Sequence, residues 1–147
     1  MLRVITPEDF DREPSPADVH FWRLRATTPS ALFPDPVDTH VLLEHSDDLY
    51  DADLSLLTEI LADLDRYLTL ALAYVREKVE ADPAFFGLAA PADGNLGEPE
   101  IAMLDSSWHV RFRTGDFPIC DPYGLMVDFV GREPTGIEPL DDVEEIE

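Results

Sequence analysis

The sequence predicts an α+β fold in a single domain spanning residues 1–147: an antiparallel sheet of about four to six strands with one long amphipathic helix packed on one face. Three observations lead there. Two runs rich in β-forming residues come early, a long stretch with apolar residues at three- and four-residue steps occupies the middle, and runs that alternate apolar with polar residues follow. With only one long helix available for crossovers, a parallel βαβ arrangement is disfavoured.

Residues 1–18 are expected to form an irregular N-terminal segment, with 7–18 extended or irregular because three prolines between Pro7 and Pro16 fix φ and remove backbone donors. "VHFWRLR" (19–25) and "THVLLEH" (39–45) are the first strand candidates. The connection between them, rich in proline, is too long to fix their register. Residues 53–80 form the helix, with Leu57, Ile60, Leu61, Leu64, Leu68, Ala71, Leu72, Val75 and Val79 on one stripe. Asp51 or Asp53 caps its start and Asp82-Pro83 stops it. At about 1.5 Å per residue it would span on the order of 40 Å, so it crosses a whole sheet or bends. Phe85 and Phe86 follow in a loop and are placed to plug a core edge. "EIAML" (100–104), "SWHVRFRT" (107–114) and "GLMVDFVG" (124–131) are strands; the period of two turns Trp108, Val110, Phe112, Leu125, Val127 and Phe129 inward. A short last strand is expected around Ile137, and the acidic tail 141–147 is expected to be mobile.

Charge is the strongest global signal. With 32 acidic and 10 basic residues the formal net charge is −22. Such a field repels phosphates and anionic membranes and speeds encounter with basic proteins, which argues against direct nucleic-acid or membrane binding. The N-terminal stretch has early acidic residues and no long apolar run, so no signal or membrane span is expected and the default location is the cytoplasm. The single cysteine agrees with a reducing compartment.

The stretch 105–131 holds the residues that look most reactive: His109, Cys120 and Asp121. A thiol nucleophile needs a nearby base and an oxyanion donor. Asp121 would instead raise the Cys120 pKa, and "DPYG" (121–124) fits a turn, so no catalytic residue is assigned. No metal is expected either: His20, His40, His45 and His109 match no ligand spacing, and "EHSDDLYDAD" (44–53) lacks the glycine and closing glutamate of a calcium loop. No nucleotide-binding fingerprint is present and no cofactor is expected. Arg23 with Arg25, and Arg111 with Arg113, place paired cations on two strands; the simplest role is neutralisation by neighbouring carboxylates, the alternative a small anion site. The acids Glu44, Asp47, Asp48, Asp51, Asp53, Glu59 and Asp63 form a dense negative band, which gives a candidate docking surface for a basic partner.

The order of strands, helix and meander, the W-H-V-R-F run, the D-P-Y-G-L-M-V-D-F hairpin and the strong acidity resemble the small immunity proteins of bacterial polymorphic toxin systems. That resemblance implies a non-enzymatic inhibitor that covers a toxin, often a basic nuclease, through a charge-complementary interface. Two alternatives fit the same residues: a nucleic-acid mimic that inhibits a DNA-binding or defence enzyme, and a small enzyme or ligand-binding domain with a pocket near His109 and Arg111. The apolar stripe of the long helix would equally serve a homodimer.

Overall fold

Alternation and turn chemistry divide the described residues into seven strands, two α-helices and short connecting turns. The computed structural model describes residues 4–14, 19–43, 53–104, 107–120 and 124–139. The expected tail 141–147 and the segment carrying Glu44, Asp47, Asp48 and Asp51 lie outside these. Within them the elements are β1 (Phe10–Glu13), β2 (His20–Leu24), β3 (Asp38–Leu43), α1 (Leu54–Ala62), α2 (Leu64–Ala81), β4 (Leu96–Met103), β5 (Trp108–Gly115), β6 (Leu125–Val130) and β7 (Glu133–Pro139). All seven strands join one sheet in sequence order, antiparallel except at the β3–β4 pair.

The α+β class is as predicted, and four features differ from expectation. Residues 10–13, expected to be extended or irregular and not counted as a strand, pair with β2 as an edge strand. The sheet has seven strands rather than four to six, because β1 joins it and β7 is a full seven-residue strand. β3 and β4 run parallel, since the helical stretch between them is long enough to carry the chain back to the end where β3 began. The single helix is two: Asp63 leaves helical geometry (φ −133°, ψ 42°), ending α1 and starting α2. Aspartate is a weak helix former that competes with the backbone for hydrogen bonds. The break lets both segments bury an apolar side, Leu54, Leu57 and Ile60 from α1 and Leu64, Tyr67, Leu68, Ala71, Val75 and Val79 from α2.

Local chemistry sets the ends. The Asp53 side chain accepts from the Leu56 amide at 2.9 Å, capping α1. After α2 the chain turns at Asp82-Pro83; Phe86 is fully buried while Phe85 is largely exposed. The long β2–β3 connection is closed by a Thr28–Val37 bridge and tethered to α2, where Asp65 accepts from the Ser30 hydroxyl at 2.5 Å and the Ala31 amide at 3.0 Å. Prolines at 134 and 139 and the charged "FDRE" of β1 discourage pairing at the two outer strands.

The helices pack on one face of the sheet. Trp108 and Phe129 stack at 4.2 Å, and Tyr67 of α2 meets them edge-on at 5.5 and 6.3 Å. The Trp108 indole donates to the Gly131 carbonyl at 2.7 Å, so its polar atom is satisfied within the core. The alternation expected in β5 and β6 therefore holds, with Trp108, Val110, Phe112, Leu125, Val127 and Phe129 on the helix side. Replacing Trp108 with alanine is expected to cost about 3–5 kcal/mol, against less for Trp108→Phe, which keeps the stack; urea unfolding measures both.

Candidate functional site

Residues of opposite parity on the same strands point to the other face of the sheet. Strand register places Asp11, Arg23, His40, Ala102, His109, Asp128 and Gly136 in one row across it. Asp38, Glu100, Arg111, Met126 and Glu138 form the next row. This face is polar but not uniformly wet. Glu100 and His109 are 5% and 8% exposed, and His40, Asp38, Arg111 and Asp128 are half-buried.

Charges here are neutralised locally. Arg111 pairs with Glu100 at 3.1 Å and Arg23 with Asp38 at 3.3 Å, while Arg25 lies 3.8 Å from Asp11. Arg111 Nε is buried without a partner, so its hydrogen bonding is incomplete. Burial, then the Arg111 charge, pushes the His109 pKa down to about 4. His40 is also lowered, chiefly by burial and against the pull of Glu100. Both imidazoles are therefore neutral near pH 7. Asp128 moves the other way, up to about 7, first from burial and then from its hydrogen bond and repulsion with Glu138.

Three of the four arginines expected as strand pairs are neutralised by neighbouring carboxylates, the simpler of the two expectations. Arg23, Arg25 and Arg111 each have a carboxylate, and Arg113 is exposed with no ion pair among the described residues. His109 and Cys120 are not brought together: His109 lies on the open face, and Cys120 is buried in the core next to Phe117 and Gly115. Burial raises the thiol pKa, which suits packing rather than nucleophilic attack. No group of three or more potential ligands for a metal ion occurs among the described residues. A cleft of about 560 Å³ lies elsewhere, between α2 and the loops carrying Phe33 and Asn95.

Of the candidate docking acids, the three within the described residues sit along α1. Asp53 is the helix cap, Glu59 binds Arg132 at 2.6 Å, and Asp63 lies 3.7 Å from Arg66. All three keep a solvent-accessible carboxylate, with Glu59 44% exposed in its side chain. No helix of the described residues is long and apolar enough to cross a membrane. No family model, curated protein or solved structure matches the chain.

Sequence reasoning missed the Asp128–Glu138 pair and the burial of Glu100. The alternation of β5 and β6 assigns Asp128 to the His109 face, but Glu138 joins it only through the β6–β7 register. Two outcomes follow. Glu100→Ala strands the part-buried Arg111 charge and is expected to cost about 3 kcal/mol, whereas Arg23→Ala, from a half-exposed pair, costs under about 1 kcal/mol; chemical denaturation separates them.

The second outcome concerns pH. With a folded pKa of about 4 against 6.5, His109 takes up its proton later in the folded chain, so its contribution is complete above about pH 6.5 and falls by on the order of 3 kcal/mol toward pH 4. For Asp128, at about 7 against 3.8, the contribution is complete below about pH 3.8 and is lost as pH rises through 7. Relative to wild type, His109→Gln therefore gains stability as pH falls from about 6.5 to 4, and Asp128→Asn gains as pH rises from about 4 to 7. Urea midpoints at stepped pH read both difference curves.

Proposed function

We propose that this chain is a non-enzymatic binding protein that presents an acidic surface to a basic protein partner, in the manner of an immunity protein covering its toxin. The observation that carries this reading is how the cations are used. Five arginines, at positions 23, 25, 66, 111 and 132, each lie within ion-pair distance of a carboxylate of the same chain. With a net charge of −22, the outward field is set by the remaining acids. Exposed carboxylates at Asp35, Glu77, Glu80, Asp82, Asp93 and Glu98 enter no ion pair among the described residues. Asp53, Glu59 and Asp63 add a line along α1 about 15 Å long, continuous in sequence with Glu44, Asp47, Asp48 and Asp51.

Such a surface acts by steering and orienting the encounter, and the affinity of the bound state then needs close contacts as well. Co-expression with the products of adjacent genes tests the reading. The expected result is a basic product, growth-inhibitory alone, that co-purifies with this chain and stays bound at about 0.5 M salt, where screening has shortened the Debye length to roughly 4 Å. Glu59→Gln with Asp63→Asn is expected to slow association about three- to tenfold at low salt, with the difference vanishing at high salt. Absence of a basic partner rejects the reading, and binding to many DNA-binding proteins that collapses with modest salt replaces it with nucleic-acid mimicry.

A further inference from the structure

We propose that Asp128 and Glu138, with the buried His109 imidazole beside them on the open sheet face, form a receptor for one arginine side chain of a protein partner. This rests on the reading that the partner is basic, and it adds a specific contact on a face remote in sequence from the α1 acids.

The geometry begins with the register. Asp128 lies opposite Gly136, and Glu138 is two residues further along β7, so both carboxyls stand on the same face at the outer side of the sheet. Gly136 has no side chain, and a Cβ there would meet Asp128 Oδ2 at 3.6 Å, so the carboxyl lies over bare backbone. Glu138 lies near enough to help raise the Asp128 pKa, and neither acid enters an ion pair among the described residues. On the inner side stands His109, directly opposite Asp128 on β5. It is 8% exposed, and its imidazole enters no side-chain hydrogen bond among the described residues, burial and the Arg111 charge being what acts on it.

The surrounding charges leave the pair available to an outside cation. Of the groups facing it, β5 contributes His109 and Arg111, and Arg111 is held on its far side by Glu100 of β4 at 3.1 Å. Beyond them β3 carries His40 and Asp38, and Asp38 engages Arg23 of β2. From β7 only Glu138 and the Gly136 backbone face Asp128.

A guanidinium matches this arrangement in three ways. Its five donors lie in a plane and can serve two carboxylates and an imidazole acceptor at once. The molecule already contains one such contact, since Arg12 hydrogen-bonds the His20 ring at 2.6 Å. The guanidinium charge is spread over a planar group wider than a single ion, which suits acceptors drawn from three neighbouring strands, His109 of β5, Asp128 of β6 and Glu138 of β7. Burial and Glu138 raise the Asp128 pKa to about 7, and an arriving cation favours the ionised carboxyl, so binding and proton release are coupled.

Acetyl-arginine amide is the probe and its uncharged citrulline analogue the control, followed by carboxyl-carbon and imidazole-nitrogen NMR shifts. The expected result is a saturable shift confined to Asp128, Glu138 and His109, absent with citrulline and about tenfold tighter at about pH 8 than at about pH 6. The Asp128→Asn/Glu138→Gln double variant should keep its circular-dichroism spectrum and lose the shift. Should that variant not fold, the wild-type pH dependence decides. Shifts spread evenly over many acids, or equal affinity at the two pH values, overturn the proposal. A co-purified basic partner whose affinity ignores the double variant overturns it too, while leaving the acidic-surface reading in place.

Discussion

A single helical crossover governs this molecule. Because α1 and α2 are the only α-helices among the described residues and sit between β3 and β4, they cover one face of the seven-stranded sheet. All aromatic packing that joins helix to sheet, Tyr67 on Trp108 and Phe129, lies on that side. The opposite face has to be compatible with water without losing the strand alternation that builds the core. Its composition follows: small or flexible apolar residues such as Ala102 and Met126 stand among ionisable groups set in neutralising order.

That order explains how a chain of such net charge keeps a well-formed sheet. Cross-strand neighbours of opposite sign stabilise an antiparallel pair, and like charges oppose it. Arg111 opposite Glu100, and Arg23 near Asp38, follow the favourable rule. Where the rule is broken, at Asp128 and Glu138, retention of a proton relieves the repulsion. The two histidines nearest the middle of the face remain neutral because burial makes their charged forms costly. Five of the nine arginines thus pair with carboxylates of the same chain, and the exposed carboxylates outside those pairs define how the molecule looks from a distance.

The extent to which this was legible varies by element. β5 and β6 were readable because their period of two is unbroken and both ends are marked by turn residues. α2 was readable from its stripe, but the break at Asp63 was not, since Leu61 and Leu64 continue the apolar spacing through it. β1 was hidden because "FDRE" is mostly polar and flanked by prolines; it is a strand by virtue of pairing with β2. Among the candidate site residues, the acids of α1 were found by density alone, and Asp53, Glu59 and Asp63 each also serve the fold as a cap or ion-pair partner.

Local sequence determined the α+β class, the inward residues of β5 and β6, the cap at Asp53, the sign of the molecule's field and the packing role of Cys120. These depend on neighbours within one turn or one strand, which the chain encodes directly. Only the tertiary structure decided that β3 and β4 are parallel, that Arg111 meets Glu100, and that Asp128 and Glu138 share one sheet face beside His109. Each of those depends on strand order and register, and register is fixed by long-range burial of the helix-covered face rather than by any residue's own preference.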